Sequence, residues 1–289
     1  MNSTITLRRR PEWWRLRFGA GRALTYLMLS LVALLILLPF LWMITTALRA
    51  PGEEVIRFGP LLIPRHVHFE NFTQAWETAP FGRYFFNSFF VAMVTTLAFL
   101  ATSAMGGYAF ARLRFPGQHI LWLATLGTLM IPAEVLLIPN YITLAKWLHW
   151  SDTYYALIIP WTVSAFGIFL MRQVFLQQPK ELWEAARLDG CGHLRFLWQI
   201  LLPQVRPTFL TLGVLKFFWT WDMFLWVVLF TNADEMRTVT YGLYHFTSEV
   251  GTAYELWMAA SLMSIAPIVL LFLSVRRQII EGISRVGLR

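Results

Sequence analysis

Six apolar stretches, each close to the length needed to cross a bilayer, divide this sequence. Residues 23–48 contain no charged side chain and are long enough to span the ~30 Å hydrocarbon core of a membrane. The other five stretches are residues 84–111, 120–139, 154–171, 208–230 and 256–275. Because lipid offers no partners to backbone N–H and C=O groups, continuous apolar segments of this length form helices. The sequence therefore predicts an all-α polytopic membrane protein with six transmembrane helices.

The composition excludes a soluble domain. Of the 289 residues, 57% are hydrophobic and only 14% are charged, too few for a hydrated surface. The net charge of +8 does not indicate nucleic acid, because the basic residues lie in loops between the apolar stretches. The single cysteine, Cys191, excludes an intrachain disulfide and a multi-thiolate metal site, so no structural metal is expected.

The distribution of Lys and Arg predicts the orientation in the membrane. Residues 1–22 form an arginine-rich segment ahead of the first apolar stretch, and residues 23–289 form one membrane domain. Placing the N-terminus inside the cell puts most of the 24 Lys and Arg residues on the cytoplasmic side, as the positive-inside rule requires. Six spans then make both termini cytoplasmic, together with the polar segment 179–203.

This polar segment interrupts the apolar pattern with two short amphipathic helices. Pro179 suits the first helical position, and Gly190 supplies a left-handed stop. A second helix restarts near His193, with apolar residues at spacings of three and four, and ends at Pro203. Neither helix is long enough to span lipid.

The same segment resembles the EAA loop of bacterial ABC importer permeases. The residues that fill the motif, with the adjoining Asp189, are Glu184, Ala185, Ala186, Asp189, Gly190, Ile200, Leu202 and Pro203. In that family the loop is the cytoplasmic coupling helix, which docks in a cleft of the ATPase subunit. The resemblance implies a type I ABC importer permease fold. The alternative is an amphipathic connector whose charges merely stay hydrated.

From Phe81 to its end, the chain is similar to the carbohydrate-type permeases related to the maltose system. The motifs that carry this resemblance are Met130-Ile131-Pro132, Glu134, Ile138-Pro139, Trp221-Asp222 with Phe224, and Glu281-Gly282 with Gly287. It implies a bacterial or archaeal cytoplasmic membrane and four kinds of partner: a homologous second permease, two ATPase subunits that bind ATP and Mg, an extracytoplasmic solute-binding protein and the lipid bilayer. Asp222 departs from the family, which commonly has Asn at this position.

Motifs of ATP hydrolysis and other catalysis are missing from the sequence. It contains no GxxxxGK[ST] nucleotide loop, no HExxH and no GxSxG. We therefore expect a transport subunit rather than an enzyme, without a bound cofactor of its own. Transport driven by ATP then requires a separate ATPase, in agreement with the EAA-like segment.

Three ionisable residues within the apolar stretches are candidates for a substrate pathway. Charges in a membrane are costly unless they face a partner or a water-filled cavity. The three residues are Glu134, Lys216 and Asp222. If the fifth stretch is an ideal helix, two of them share one face with aromatic and apolar residues. That face carries Lys216, Trp219, Asp222, Met223, Trp226 and Phe230. Aromatic rings beside hydrogen-bonding groups suit a polyhydroxylated substrate. The alternatives are a structural ion pair and a Lys216 side chain that snorkels.

Two further patterns predict how the helices pack. Pro132 and Pro139 predict a kink in the third stretch, which would then face a polar interior in part. Ser103, Ala104 and Gly106-Gly107 place small residues on the second stretch, where another helix can approach closely.

These observations together predict the permease subunit of an ATP-driven, binding-protein-dependent importer of a sugar or oligosaccharide. Glycerol phosphate or a polyol is an alternative substrate. A protein of a different class, an ion-coupled carrier, would use the intramembrane charges as a relay.

Overall fold

The structure is a computed structural model that describes residues 13–51, 64, 66–248 and 253–287, and within them it contains helices and no strands. The α-helices are α1 Trp13–Ala47, α2 Glu70–Thr78, α3 Phe81–Arg112, α4 Gln118–Thr128, α5 Leu137–Tyr141, α6 Tyr154–Ile158, α7 Ala165–Leu176, α8 Glu181–Leu188, α9 His193–Phe196, α10 Leu202–Gln204, α11 Arg206–Trp221, α12 Leu225–Phe230, α13 Val239–Ser248 and α14 Tyr254–Gly287. Residues 1–12 of the basic N-terminal segment and the last two residues lie outside the described part.

Four helical segments of the described chain are long and apolar enough to cross a membrane. They are Gly21–Ala47, Phe81–Arg112, Tyr154–Leu176 and Tyr254–Arg276. These segments overlap the first, second, fourth and sixth predicted stretches. A fifth candidate is a bent pair, Gln118–Thr128 with Ala133–Trp147, in which the two halves differ in direction by 93°.

The bent pair confirms the kink predicted for the third stretch. Pro132 has φ −59° and ψ 135°, which takes the backbone out of the helical region between α4 and the following 3₁₀ turn, Ala133–Leu136. Proline also lacks the N–H that a continuing helix would need. The break therefore occurs at the proline, and helical structure resumes after it.

The fifth stretch, predicted as one helix over residues 208–230, is instead two helices. α11 ends at Trp221 and α12 begins at Leu225. The carbonyl of Trp221 accepts a hydrogen bond of 3.0 Å from the Thr240 hydroxyl, which replaces the helical partner that the break removes. The prediction of a single helix was wrong because a long-range hydrogen bond supports an interruption that the local sequence does not mark with proline or glycine.

α7 runs parallel to the second half of α3, and hydrogen bonds join both ends of α7 to that half. Near the start of α7, the Thr102 hydroxyl donates to the Thr162 carbonyl. At the other end, Arg112 Nη2 donates to the Phe175 carbonyl at 2.8 Å. The carboxyl ends of the two helices therefore lie side by side.

Glycine makes this parallel contact unusually close. A Cβ added to Gly107 would lie 2.6 Å from the Met171 Cβ and 2.9 Å from the backbone nitrogen of Arg172. A Cβ added to Gly167 would lie 2.2 Å from the Ser103 hydroxyl. The close approach predicted for the small residues of the second stretch is confirmed.

α11 packs against α3 in the opposite direction. Gly213, near the middle of α11, lies against Leu100, while Trp221 at its end contacts Phe85, earlier in α3. The two helices are therefore antiparallel.

Polar contacts tie the amino-terminal end of α3 to the loop that follows α12. Asn87 Nδ2 donates to the carbonyls of Glu235 and Arg237, at 2.7 and 2.8 Å, and its Oδ1 accepts the Tyr154 hydroxyl at 2.7 Å. The carboxylate of Asp152 accepts two backbone N–H groups of the same loop. This end of the helices is therefore fixed by a set of mostly half-buried hydrogen bonds.

Candidate coupling loop and translocation cavity

The segment that resembles the EAA loop contains a short helix whose end is set by glycine. α8 begins at Glu181, so Pro179 precedes the helix rather than starting it. Gly190 has φ +72°, and its N–H donates to the Arg187 carbonyl at 3.0 Å. The left-handed stop predicted at Gly190 is confirmed.

The second half of the segment does not end at Pro203 as predicted. Helical structure continues through α10 to Gln204, and the break falls at Val205, which has φ −108° and ψ 15°. A π-helical turn, Leu197–Leu201, comes directly before α10. The wider π-helical turn accommodates the proline ring where a regular α-turn would clash with it.

α8 has one buried side and one free side. Ala186 is 5% exposed and packs in the core, whereas Leu188 is 90% exposed at the end of the helix. Glu184, Ala185 and Asp189 are also exposed. The free side therefore combines carboxylates with an apolar side chain, a composition suited to helix-in-groove docking.

Two of the three remaining motif residues belong to the core against which α8 packs. Leu202 is buried and Ile200 packs against the same core cluster as Ala186. Pro203 is exposed. The motif thus divides into residues that present a surface and residues that hold it in place.

Stacked rings fasten α8 to α3. Trp183 stacks on His193 with ring centroids 4.3 Å apart and an interplanar angle of 16°. His193 Nδ1 lies 2.7 Å from the Tyr108 hydroxyl on α3, and Phe196 meets the Trp183 ring edge-on. Sequence reasoning missed this anchor, because Tyr108 is far away in the chain. The available signal was a Trp and a His within an otherwise charged, solvated segment.

A cavity of about 400 Å³ lies where three helical segments are interrupted. Each interruption contributes to its wall: the break after α4, the turn between α6 and α7, and the break between α11 and α12. The lining residues from these breaks are Ala133, Glu134, Pro160, Trp161, Met223 and Phe224. Irregular backbone at membrane depth is tolerated where it lines a cavity, so this is the expected place for a polar pathway.

The predicted pathway residues divide between two places. Glu134, Met223 and Trp226 line this cavity, whereas Trp219 and Asp222 line a separate groove. Trp219 is 77% exposed and Trp226 is buried, with its indole N–H donating to a backbone carbonyl at 2.9 Å. The single face predicted for the fifth stretch was therefore wrong, because the helix is interrupted within it.

Lys216 does not form an ion pair with Asp222 among the described residues. Its ammonium group lies 5.2 Å from the ring centroid of Phe99 and 5.4 Å from that of Trp161. Cation–π contacts thus take the place of the carboxylate partner that the ion-pair interpretation required.

Trp161 is the cavity residue that sequence reasoning missed. It contacts Trp226 edge-on with ring centroids 5.0 Å apart, and its buried indole nitrogen has no hydrogen-bond partner among the described residues. Pro160, directly before it, was the available signal, because a proline inside an apolar stretch marks an interruption.

A cysteine at Met223 is expected to react with a small polar thiol reagent if the cavity is part of a pathway. If the chain is part of the ATP-driven importer that the sequence motifs predict, the reactivity should also change when ATP analogues trap the assembly in another state. Cys191 is first replaced by Ser, and a cysteine at Val227, which is fully buried outside the cavity lining, serves as the matched control. Equal reactivity at the two positions would contradict the assignment.

Within the described residues, no three His, Cys, Asp or Glu side chains come together as ligands of a metal ion would. The arrangement is that of a helical membrane protein with an interior cavity and an exposed surface helix. These features define a helical membrane protein with several spans.

Comparison with known proteins identifies the family. Residues 103–280 match the family described as "Binding-protein-dependent transport system inner membrane component". The arabinooligosaccharides transport system permease protein AraQ of Bacillus subtilis is 30% identical over 276 residues, covering 94% of this chain and 98% of that protein. The sn-glycerol-3-phosphate transport system permease protein UgpE of Yersinia enterocolitica is 34% identical over 266 residues, covering 89% and 94%. This chain belongs to the family of binding-protein-dependent transport inner membrane components and is an ABC importer permease.

A solved structure shares the fold. A bacterial ABC transporter involved in the import of the acidic polysaccharide alginate superposes with a TM-score of 0.80 at 22% sequence identity, covering 94% of this chain and 99% of the matched chain. The resemblance to ABC importer permeases drawn from the sequence motifs is confirmed.

Proposed function

We propose that this chain is one of two permease subunits of an ATP-driven importer of a sugar or oligosaccharide. The observation that carries the proposal is α8, which exposes Glu184 and Leu188 while Ala186 and Trp183 anchor it to the core. An exposed helix that is rigidly attached to membrane-embedded helices can transmit motion from a docked partner. The partners are a second permease, two ATPase subunits that hold ATP and Mg, and an extracytoplasmic solute-binding protein.

The packing directions support a topology with six spans. Because α3 and α7 run parallel, the chain between them has to return across the membrane, and the bent pair supplies that return. α11 runs antiparallel to α3, and the chain then returns through α14. With the N-terminus inside, both ends and the coupling loop lie in the cytoplasm, where ATP is found.

Alternating access is the proposed mechanism. Closure of the ATPase pair around ATP would shift α8, and the cavity would change facing because the new state binds the closed ATPases better. In this mechanism the chain contributes movement and a pathway, and the hydrolytic chemistry belongs to the ATPase subunits.

The cavity suits a polyhydroxylated substrate. Trp161 and Trp226 supply aromatic surface for sugar C–H faces, and Glu134 and Asn140 supply hydrogen-bonding groups. The relatives are named for arabinooligosaccharides and sn-glycerol-3-phosphate, so glycerol phosphate or a polyol is the alternative substrate. Uptake of radiolabelled arabinooligosaccharides and glycerol phosphate, measured side by side, distinguishes them.

The arrangement of charges disfavours an ion-coupled carrier. Glu134 lies in the cavity, Asp222 lies in the separate groove, and Lys216 sits over aromatic rings. A proton or ion relay needs groups within hydrogen-bonding reach of one another or of shared water. In the described part of the chain, no ion pair joins any two of these three residues.

Dependence on a separate ATPase tests the proposal. The purified chain is expected to show no ATP hydrolysis, and when expressed with its operon partners it should co-purify with an ATPase and another permease. In proteoliposomes, the binding protein and its sugar should stimulate hydrolysis. Uptake driven by a proton gradient with this chain alone would instead support the carrier.

A further inference from the structure

A second cavity, of about 360 Å³, lies beside the coupling helix and is rich in positive charge. Arg112 at the end of α3, Arg114 in the following loop and Lys180 just before α8 contribute to its lining. Glu184 is the one carboxylate in the lining, and His193 also faces the cavity. Basic side chains therefore outnumber acidic ones in a space that can hold a phosphate group and its substituent.

The basic side chains are arranged as one fixed cation and two free ones. Arg112 Nη2 donates to the carbonyls of Phe175 and Gln178, at 2.8 and 2.6 Å, which holds its guanidinium group in the cavity wall. Arg114 and Lys180 are exposed and make no ion pair with any described residue. The two free side chains can therefore close on an anion without breaking an existing contact.

Apolar side chains also line the cavity, and one of them, Leu176, is 46% exposed. Ala111 and Leu113 flank the end of α3, and Leu176 ends α7. Both helices belong to segments long and apolar enough to cross a membrane. The cavity thus lies where two candidate membrane spans end together, and both apolar and basic residues line it.

We propose that this cavity binds the phosphate headgroup of an anionic phospholipid from the cytoplasmic leaflet. Basic pockets between transmembrane helices on the cytoplasmic side bind such headgroups. A guanidinium group held in a fixed position recognises phosphate oxygens directionally, and the lysine adds a mobile charge. The exposed Leu176 and the position at the ends of two candidate membrane spans favour a lipid over a soluble phosphate ester, because only the lipid has chains that can continue along the apolar helices.

The bound lipid would lie against Trp183, which attaches α8 to the core, and against Glu184, which faces the proposed ATPase partner. A bound lipid would therefore hold the coupling helix in one position and make coupling sensitive to membrane composition. This consequence for coupling rests on the proposed function, whereas lipid binding itself does not.

Lipid binding is tested on the full chain by native mass spectrometry, with phosphatidylglycerol or phosphatidylcholine supplied in mixed micelles. Each basic side chain near an anionic headgroup strengthens binding about fivefold, so Arg114→Gln with Lys180→Gln should weaken phosphatidylglycerol binding about thirtyfold. The matched control is Arg195→Gln with Arg206→Gln, which removes two exposed charges from the same part of the chain outside the cavity. Arg112 is left in place because it caps α7.

Loss of phosphatidylglycerol in the cavity variant but not in the control supports the proposal. Equal binding in all three proteins, or equal binding of phosphatidylcholine, overturns it. Displacement of the lipid by millimolar glycerol phosphate would assign the cavity to a soluble phosphate ester. Absence of the lipid from the complex with ATPase subunits would assign the cavity to that interface. Because the readout is binding, failure here is distinguishable from a failure of coupling or uptake.

Discussion

Replacing Gly190 with proline is expected to abolish uptake while the protein remains folded in the membrane. Gly190 has φ +72°, which proline cannot adopt, and its N–H donates to the Arg187 carbonyl. The change costs about 3 kcal/mol or more at the end of α8, so the helix end should unwind. The measurement is substrate uptake in vesicles alongside the amount of protein in the membrane.

Matched variants separate this backbone effect from a loss of space. No atom lies within 4 Å of a Cβ added at Gly190, so Gly190→Asn should retain most uptake, because Asn tolerates positive φ. Gly192 has φ −80°, which proline adopts, so Gly192→Pro should be tolerated.

Glu184→Lys should also abolish uptake, since Glu184 is exposed and its proposed partner is a basic residue of the ATPase. Parental uptake in Gly190→Pro or Glu184→Lys would overturn the coupling assignment.

Replacing Gly107 with valine is expected to destabilise the folded protein strongly. A Cβ at this position would lie 2.6 Å from the Met171 Cβ and 2.9 Å from a backbone nitrogen, so α7 would have to move as a whole. Overpacking of a rigid contact costs about 1–3 kcal/mol and more where the backbone is involved. Thermal unfolding in detergent should show a large drop in midpoint, accompanied by lower membrane abundance.

Gly127→Val is the matched control for this substitution. Gly127 also lies in a helix, yet no atom is found within 4 Å of an added Cβ. Gly106→Ala should fall between the two, because the added atom meets only side-chain atoms of Ile168, the nearest at 3.0 Å, and no backbone atom. If Gly107→Val unfolds at the same temperature as Gly127→Val, α3 and α7 do not pack as described.

Features encoded locally in the sequence were predictable. The apolar stretches at residues 23–48 and 84–111 gave helices because their length and composition allow nothing else in a membrane. Gly190 and Pro132 were recognised because their backbone preferences act within one or two residues. The family followed from motif residues in register.

Features that depend on distant contacts were not predictable from the sequence. The break after Trp221 relies on the hydroxyl of Thr240, and nothing in the local sequence identifies that partner. Trp161 enters the cavity only because three interruptions come together in space. A helical wheel drawn for an unbroken helix therefore placed Trp219 and Trp226 on one surface, although Trp219 is exposed in the groove and Trp226 is buried beside the cavity.

The glycine contacts between α3 and α7 have a mechanical consequence. With Gly107 against Met171 and Gly167 against Ser103, the two helices cannot slide or part without losing close packing. The stacked rings clamp α8 to α3, so a force on α8 should be carried by both helices as a single stiff lever. Bending is then expected at the three interruptions that line the cavity of about 400 Å³. The point about which the helices pivot would therefore lie at the cavity proposed to hold the substrate.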